Sequence, residues 1–531
     1  MERRALMLAM GGFAGAWGAG QLAGAAPAAA AGTGGATVVD VTAHGARGDG
    51  STDDTAAFRA ALAALKAVPG GATLLVPPGT YPIGTALVLG AGCTVVAYGA
   101  RVVRTGDTGA LVKNFDTATP VSGYAGAGRV AVLGGVWDMR GARFSRQSDA
   151  FGFAHCDGVL VKDCTFVDVP SAHAVELNAV RNAAVVDCVF DGHHPGDGAS
   201  LTTKEAVQIT CATEGNLPAP AYDSTPCENV LITGCTLRAG TTTGPFGALC
   251  GDHWGAKGVF HRGIRVIGNT VEKSGAFGVR AADWQDSVIA DNLIENVASH
   301  AIYLNSPQGN GLSGITVSGN TVRAVEGGGG ISATVPANGA RHRSLTISGN
   351  TLTSVRGEAG IYASQTDGLT VSRNTVTTTL RTAPTGNAQG IHVQNAPNAL
   401  VAGNRVSDVQ GDGIGVDTGS TGALVADNTV LTTTGPGINT GSDRTTVRGN
   451  RVDGATTYGV RVGGAAADTL VQGNTVTAVN AAPGSAETAA ICVVAYSSGT
   501  WVVGNDLTGR GAQAQAVADH GTGTTAQQNA S

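Results

Sequence analysis

Short apolar runs rich in Val and Ile alternate with small polar residues along most of this chain. In the second half, many runs end in Gly or a small polar residue followed by Asn, as in RVIGNTV, VIADNLI and TVSGNTV. This Asn recurs at positions 269, 292, 320, 350, 374, 404, 428, 450, 474 and 505. The spacing runs from 22 residues (Asn428 to Asn450) to 31 residues (Asn474 to Asn505). Such a repeat predicts a solenoid, in which each unit packs on its neighbours.

The composition of the repeats favours strands over helices, because β-branched residues dominate the apolar runs. Most units also contain a second short strand, as in AIYLN, GIYAS and GIHVQ. Helical repeats need about 33 to 47 residues per unit, more than these units have. The pattern therefore predicts an all-β fold, a single-stranded right-handed parallel β-helix of about fourteen or fifteen coils, each of roughly 24 residues.

The repeated Asn is expected to adopt the left-handed conformation at a sharp turn and to form a ladder of amide hydrogen bonds. Upstream, Cys164, Cys188 and Cys235 occupy the same place in the repeat, which predicts buried stacked thiols rather than metal ligands. The 47-residue step from Cys188 to Cys235 predicts two coils, one of them carrying a long loop. Cys211 and Cys227 bracket that loop, and either a disulfide or two free thiols remain open.

The N-terminus has the features of an export signal. Arg3 and Arg4 precede an apolar Gly/Ala-rich run and the small-residue stretch APAAAA. We expect residues 1–31 to be a signal peptide of the twin-arginine type, the Sec route being the alternative, and residues 38–531 to form the secreted β-helix domain. The net charge of -6 gives no basic surface for nucleic acid, and no internal stretch is apolar enough to span a membrane.

A helix is predicted near Asp53 to Lys66, just after the signal. Its apolar face would comprise Phe58, Leu62 and Leu65, and Thr52, Asp53 or Asp54 would cap it. Since the first coil of a solenoid has an open end, we expect this helix to cover it. The neighbouring aspartates are expected to be structural for the same reason.

The stretches GARGDGSTDDT (Gly45 to Thr55) and VPPGTY (Val76 to Tyr81) resemble the opening of the pectate-lyase superfamily domain shared by polygalacturonase-like and rhamnogalacturonase-like proteins. The resemblance implies a right-handed β-helix and most often a secreted enzyme that cuts polysaccharides. The NTD, DD, GHG and RIK motifs of polygalacturonase-type hydrolases and the WIDH motif of pectate lyases are absent. The fold is therefore expected to transfer, whereas substrate and mechanism are not.

Alternation along the strands of the AVELN type predicts which side chains face outward. One outward column is expected to contain Glu176, Gln208, Cys250, Arg280, Tyr303, Ser332, Tyr362 and His392. A second column is expected to contain Asn178, Thr210, Asp252, Ala282 and Asn305, with His173, Glu205 and His300 before the strands and His253, Trp254, Asp283 and Trp284 after them. Acids, histidines and aromatics thus concentrate between His173 and Asn305, whereas coils beyond Gly329 present mainly Ser, Thr, Gly and Gln.

This concentration predicts a polysaccharide site. Glu176, Glu205 and Asp252 are the candidate acid and base of a glycoside hydrolase, since glycosidic cleavage needs two carboxyl groups. The candidate substrate-binding residues are His173, Gln208, His253, Trp254, Asp283, Trp284, Tyr303 and Asn305. The loop residues His193, His194 and Asp197 can border the cleft or bind a metal.

Other functions remain open at this point. In a polysaccharide lyase acting on uronate units, Arg280 or Lys204 would abstract the proton and Asp side chains would hold calcium. A hydrolase needs no cofactor or metal. A non-catalytic carbohydrate-binding surface protein and an epimerase are further alternatives. The expected partner is a polysaccharide, with or without uronate units, and the protein is expected to be a monomer or a homotrimer.

Overall fold

The computed structural model describes residues 37–196, 200–215, 217–219, 221–382, 388–480 and 487–531. The expected signal peptide, residues 1–31, and Asp197 lie outside these residues. The strands are parallel and stack rung upon rung, which confirms the predicted right-handed parallel β-helix. Among the described residues, no helix is long and apolar enough to cross a membrane.

One sheet contains 15 strands, one per coil, in sequence order. They are Gly79–Ile83, Ala100–Arg104, Val136–Asp138, Thr165–Pro170, Val189–His194, Thr236–Arg238, Thr270–Val271, Leu293–Val297, Thr321–Val325, Thr351–Arg356, Thr375–Leu380, Arg405–Val409, Thr429–Thr433, Arg451–Ala455 and Thr475–Thr477. Their number agrees with the predicted number of coils.

The other two faces of the coil form a 34-stranded sheet, because the long strands Asp149–Lys162 and Val175–Val186 run through both. The first of these faces, here called the front sheet, comprises Leu87–Val88, Ala110–Lys113, the first halves of Asp149–Lys162 and Val175–Val186, Glu205–Thr210, Ala248–Gly251, Val279–Ala282, Ile302–Asn305, Gly329–Thr334, Ala359–Ser364, Gln389–Gln394, Ile414–Val416, Ile438–Thr440, Tyr458–Val462, Ala489–Val493 and Gln515–Asp519. The remaining strands are Val38–Asp40, Thr73–Leu75, Thr94–Val96, Val130–Leu133, Glu228–Thr233, His261–Arg262, Arg265–Ile267, Trp284–Ala290, Ser313–Ser318, His342–Ser348, Thr366–Asp367, Thr370–Ser372, Leu400–Ala402, Leu424–Ala426, Thr446–Arg448, Leu470–Gln472, Trp501–Val503 and Thr525–Gln527.

The predicted helix spans Thr55–Lys66, and its residues Phe58, Leu62 and Leu65 are buried. The Thr55 backbone N–H donates to Asp53 Oδ1 at 2.9 Å, as expected of a cap. The Asp54 side chain instead accepts the Arg47 N–H at 2.7 Å, so it fixes the turn before the helix. These contacts give both aspartates structural roles. Short 3₁₀ turns occur at Val41–His44 and Leu201–Thr203.

The asparagines form the expected ladder. Each Nδ2 donates to Oδ1 of the next Asn at 2.9 to 3.0 Å, from Asn269 through Asn505, and the ladder ends at Asn529, which the sequence pattern did not identify. The expected left-handed conformation of these asparagines is wrong. The residue before each Asn has positive φ instead, as Gly319 (66°) and Asp291 (55°) do. The Asn side chain is then free to enter the core and bond along the stack.

The cysteines replace the amides at the upstream end of this ladder. All nine cysteines lie in the described part of the chain, and they are buried thiols outside any disulfide, so Cys211 and Cys227 are not bonded to each other. The thiols of Cys164, Cys188 and Cys235 lie 3.3 to 3.4 Å from backbone carbonyl oxygens two residues before them or in the coil before. They are the buried thiols that the sequence predicted.

The 47-residue step between Cys188 and Cys235 is one coil, not two. Val189 pairs directly with Thr236, so these two rungs are neighbours. The strand Val175–Val186 pairs with Glu205–Thr210 at one end and with Glu228–Thr233 at the other. The extra length therefore forms insertions at the corners of a single coil, and the described residues of one of them, 211–215, 217–219 and 221–227, lie beside the front sheet.

The front-sheet strands begin at a tight corner of the coil, where the first core-facing side chain has little room. The residue at this position is therefore small. A Cβ at Gly413 would lie 2.3 Å from Val430 Cγ1, and one at Gly437 would lie 2.3 Å from Val452 Cγ1. The residue before this position therefore points outward from the corner. This break in the alternation gives the front sheet an additional outward column.

Candidate functional site

The outward column of the front sheet is defined by its pairing. Glu176 pairs with Gln208, Gln208 with Gly251, Gly251 with Arg280 and Arg280 with Tyr303. The column continues through Ser332, Tyr362 and His392 as expected. The placement of Cys250 in this column is wrong, because Cys250 pairs with Val207 and Val279 and its side chain is buried in the core. Glycines on both sides of Cys250 hid this one-residue shift.

The column at the corner contains Asp149, His173, Glu205, Ala248, Phe277 and His300, by extension of the same pairings. Asp149 and Phe277 were missed from the sequence. Asp149 lies 24 residues before His173, one coil upstream, so extending the column of His173 and Glu205 by one coil would have found it.

The acids of this region are buried, although they lie on the outward face. Glu176 is 5% exposed and Glu205 is 0% exposed. The insertion covers Glu176: the Leu217 backbone N–H donates to Glu176 Oε1 at 3.2 Å, and a Cβ at Gly152 would lie 3.0 Å from Leu217 Cδ1. Glu205 is instead enclosed by His253 and His173, whose Nδ1 atoms lie 2.8 and 3.8 Å from Glu205 Oε2. This insertion is therefore a cover over the two upstream rungs, and a ligand can reach Glu176 only when it moves.

Glu176 has neutral partners. Besides the Leu217 N–H, the Asn178 amide lies 3.4 Å from its Oε1. Burial raises the pKa of Glu176 to about 7, although the hydrogen bonds from Leu217 and Asn178 and the charge of His253 act in the opposite direction. Asp149, also buried and with oxygen atoms within 4.8 Å of Glu176, has its pKa raised by burial and by the charge of Glu176. This pair therefore retains a proton near neutral pH.

Glu205 has the opposite environment. Burial alone would raise its pKa, but the hydrogen bond from His253 Nδ1 to Glu205 Oε2, 2.8 Å long, and the nearby charges bring the pKa below its ordinary value. Burial disfavours the charged form of His253 and by itself would lower its pKa. The hydrogen bond to Glu205 outweighs this effect, so the pKa of His253 is raised above its ordinary value. The two side chains form a buried ion pair.

His173 lies between the two acids. Its Nδ1 is 2.7 Å from the Glu205 carbonyl oxygen, which can only accept, so Nδ1 carries a proton. Burial lowers the pKa of His173 to about 4. The neutral ring stacks beside His253, with centroids 5.7 Å apart.

Several buried polar atoms around these acids have no hydrogen-bond partner among the described residues. They are Asn178 Oδ1, Glu205 Oε1, Gln208 Nε2 and Arg280 Nε. Buried polar groups are normally paired, so a concentration of unpaired donors and acceptors on one sheet face indicates a place for a polar ligand. Hydroxyl groups of a sugar, which both donate and accept, fit such a mixed set.

Arg280 and three rings occupy the next rungs. Arg280 Cζ lies 5.4 Å from the Phe277 ring centroid, and its Nη1 donates to the Thr202 carbonyl at 3.0 Å. Tyr303 stacks against both Phe277 and His300, at centroid distances of 5.4 and 4.6 Å, and the Phe277 and His300 centroids are 6.1 Å apart. The three rings thus form one aromatic cluster beside Arg280.

Asp252 and Trp284 do not lie where the sequence placed them. The one-residue shift at Gly251 directs Asp252 away from the second column; it is buried, and its Oδ2 is 3.2 Å from His261 Nε2. Trp284 belongs to the core and is fully buried, since its strand Trp284–Ala290 forms another face of the coil. It therefore cannot be a sugar platform.

The other predicted residues lie at the downstream border. Trp254 is 51% exposed, and its Cζ2 would lie 3.7 Å from a Cβ at Gly215 in the cover. Asp283 accepts a hydrogen bond from Ser306 Oγ, and burial raises its pKa to about 6. Asn305 is buried with Oδ1 unpartnered among the described residues.

Two groups have a metal-like arrangement of donor atoms. In each of the sets His173, Glu205, His253 and Asp149, His173, Glu176, one donor atom per residue lies within 4.8 Å of the others. A divalent cation can use such donors, but the Glu205–His253 bond and the shared proton of Asp149 and Glu176 account for both sets as they stand. His193 is buried against Phe246, with centroids 4.8 Å apart, and joins neither set.

The downstream coils are more polar than the sequence pattern indicated. Asn439 Nδ2 donates to Asp412 Oδ2 at 2.9 Å, and Arg461 Nη1 donates to Asn439 Oδ1 at 3.0 Å. His392 Nε2 lies 2.7 Å from Asp417 Oδ2. These groups are mutually paired, unlike those around Glu205.

A family described as "Right handed beta helix region" matches residues 132–338 and 335–507, and "Rhamnogalacturonase A/epimerase, pectate lyase-like" matches residues 38–114. Plasmin and fibronectin-binding protein A of Streptococcus pneumoniae (strain ATCC BAA-255 / R6) is 25% identical over 293 residues. That match covers 49% of this chain and 39% of the relative.

Among solved structures, the S. pneumoniae surface protein and adhesin PfbA covers 86% of this chain and 100% of its own, with a TM-score of 0.53 and 14% identity. The family 28 exopolygalacturonase of Yersinia enterocolitica covers 74% of both chains, with a TM-score of 0.47 and 14% identity. The first likeness shows a shared fold. Because the β-helix family model matches more than half of its length, the chain belongs to the right-handed β-helix family, and its residues 38–114 are pectate-lyase-like.

Proposed function

We propose that this protein is a secreted glycoside hydrolase that cleaves a polysaccharide on the upstream part of the front sheet. Glu176 is the general acid and Glu205 the general base. The observation that carries the proposal is the opposite environment of the two carboxyl groups: Glu176 has neutral partners, and Glu205 is paired with His253. Two nearby acids whose environments separate their pKa values suit acid–base cleavage of a glycosidic bond.

The proposed roles follow from these states. Because its pKa is about 7, Glu176 holds a proton that it can give to the glycosidic oxygen. Glu205 is ionised and can accept a proton from water. Gln208, Asn178 and Arg280 supply the unpaired polar atoms that sugar hydroxyls would satisfy. Substrate binding must displace the cover, since Leu217 otherwise occupies the front of Glu176.

A second candidate is a binding protein without catalysis. Two observations favour it: Glu176 lies under the cover and Glu205 is fully buried, and similar proteins include an adhesin. A binding protein would retain full polysaccharide affinity when Glu176 and Glu205 are both changed to Gln, and it would release no products.

The test is a screen of the purified protein against polysaccharides, assayed in parallel for new reducing ends and for the ultraviolet absorbance of unsaturated ends. The proposal predicts reducing ends without unsaturated ends. Unsaturated ends would instead support a lyase with Arg280 or Lys204 as base; burial lowers the pKa of Lys204, which suits that role. Binding without either product would support the second candidate.

We also propose export by the twin-arginine route. The variant with Arg3→Lys and Arg4→Lys should then remain in the cytoplasm, as judged by fractionation and immunoblotting. Unchanged secretion of that variant would support the Sec route.

A further inference from the structure

A pocket of about 350 Å³ lies on the front sheet at the N-terminal end of the β-helix, upstream of Glu176. Val88, Asn114 and Ala154 on three successive rungs form part of its floor. Lys66 at the end of the capping helix lines one side, and Ala219 of the cover lines another.

The pocket adjoins the proposed acid. Ala154 pairs with Asn178, whose amide contacts Glu176 Oε1. One rung, about 4.8 Å, therefore separates the pocket floor from the strand that carries Glu176. Leu217 lies over Glu176 and Ala219 lines the pocket, so the same short segment covers the acid and borders the pocket. Movement of this segment would join the two spaces.

The walls of the pocket are well ordered by hydrogen bonds. Asn114 Nδ2 donates to the Ala127 and Ala154 carbonyls at 2.9 and 3.0 Å. The two ring nitrogens of His155 lie 2.9 and 2.7 Å from the Gly123 and Ala221 carbonyl oxygens, so this one side chain ties together the loops on both sides. A preformed cavity of this kind suits a small polar ligand.

The lining contains one lysine, Lys66, and one carboxylate, Asp116, so an anion would have to bind at Lys66 itself. Lys66 forms no ion pair with a described residue, and its stem lies across Gly90, where a Cβ would be 2.8 Å from Lys66 Cγ. Asp116 is the carboxylate of the lining, and its Oδ1 accepts the Ala118 and Thr119 N–H groups at 2.9 and 2.8 Å. Lys66 therefore remains available to a carboxylate on a ligand.

The pocket lies at the upstream end of the front sheet. Val88 in its lining belongs to the first front-sheet strand, Leu87–Val88, and Lys66 of the capping helix lies beside it, so the sheet offers no further rung to a polymer there. A chain end, however, can enter. The pocket thus differs from an open groove, in which a polymer would extend in both directions.

We infer that this pocket binds the terminal sugar of a polysaccharide, a uronate unit whose carboxylate pairs with Lys66, so that cleavage at Glu176 proceeds from the chain end. The cleavage part of this inference rests on the proposed function, whereas the binding part does not.

Binding is tested by calorimetric titration of the full-length mature protein with D-galacturonate and D-glucuronate, with D-galactose as the neutral probe. At least one uronate should bind ten times more tightly than galactose. Lys66→Ala should weaken that affinity at least tenfold, Lys66→Arg should retain most of it, and Ala91→Trp, which fills the pocket, should abolish it. The control Ala512→Trp, at an exposed site in the last coils, should bind as the wild type does. Absence of uronate binding, or equal binding by Lys66→Ala and wild type, would overturn the inference.

The mode of cleavage is tested on the polysaccharide that the wild type degrades. The inference predicts that monomers or dimers accumulate from the start while viscosity falls slowly. Early release of mixed long fragments with a rapid fall in viscosity would overturn chain-end cleavage and leave the hydrolase proposal standing. Absence of any product would overturn the hydrolase proposal, and the titrations would then decide on the pocket by themselves.

Discussion

The upstream and downstream halves of this β-helix are built on the same coil but differ in how their polar groups are satisfied. Downstream of Asn305, ladder amides bond to each other, outward polar groups such as Asp412, Asn439 and Arg461 are mutually paired, and most of the buried atoms without a described partner are Ser and Thr hydroxyls. Upstream, thiols replace the amides as far as Cys235, Glu176 is buried beneath an insertion, and the unpartnered buried atoms include Glu205 Oε1 and Arg280 Nε. The difference teaches that a regular coil is a self-sufficient scaffold, and that the departures from it mark the candidate site.

Stability should follow the same division. In the downstream half, each buried amide both donates and accepts, so the ladder is complete within the repeat. In the upstream half, Glu205 depends on one partner, His253, and burial makes its charge costly if that partner is lost. Matched substitutions in the two halves should therefore change the free energy of unfolding by different amounts.

His253→Ala should destabilise the protein by about 3 kcal/mol, because it leaves Glu205 buried without its counter-charge. Urea denaturation followed by circular dichroism measures the change. The matched variant is Arg451→Ala, which breaks the exposed downstream pair with Asp453 and should cost less than about 1 kcal/mol. Equal losses of stability would contradict the view that the buried upstream pair matters more than an exposed one.

Asn350→Ala should destabilise by about 1 to 3 kcal/mol, because the Asn320 N–H and side-chain amide lose their acceptor. Cys188→Ala, at the corresponding position upstream, should cost less, because a thiol is a weak donor. The same denaturation assay compares the two. A larger loss for Cys188→Ala would contradict the view that the downstream ladder is the stronger one.

Gly413→Ala should cost about 1 to 3 kcal/mol, because the added Cβ would lie 2.3 Å from Val430 Cγ1. Gly441→Ala is the control in the same half: its Cβ would meet nothing closer than 3.6 Å, so melting should be nearly unchanged. Thermal unfolding of both variants measures the difference. Similar melting temperatures would argue that the corner is wider than described.

The difference in the free energy of unfolding between the wild type and Glu176→Gln should depend on pH. The folded-state pKa of Glu176 is raised from 4.5 to about 7, so the folded protein holds a proton that the unfolded chain releases between these values. The wild type should therefore lose stability relative to the variant as pH rises from 4.5 to 7, by on the order of 1 kcal/mol per pKa unit. Buried histidines such as His173 act in the opposite direction, but they are present in both proteins and cancel. A difference that is flat with pH would place Glu176 in water.

The fold was predictable because its determinants are periodic. The Asn and Val positions repeat with each coil, so the sequence indicated the β-helix, the ladder and the capping helix. The conformation of the ladder residues was not predictable in the same way, because either Asn or the residue before it can take positive φ. Counting two coils between Cys188 and Cys235 failed because an insertion and a coil have similar lengths.

The candidate site was predictable only where alternation holds. Glu176 and Arg280 lie in the predicted column, but the register shifts by one at Gly251, which displaces Asp252. Burial of Glu176 depends on residues 211–227, which have no repeat pattern to place them. The pocket beside Lys66 depends on a contact between the capping helix and Gly90, and nothing in the local sequence indicates it.

The most direct test of the central claim is the initial rate of reducing-end release by Glu176→Gln on the polysaccharide that the wild type cleaves, with Tyr362→Phe in the same column downstream as the control. Loss of a general acid should lower the rate of Glu176→Gln by about a hundredfold or more, while Tyr362→Phe remains close to the wild type. A Glu176→Gln rate within a few-fold of the wild type would contradict the account and place the chemistry elsewhere on the β-helix.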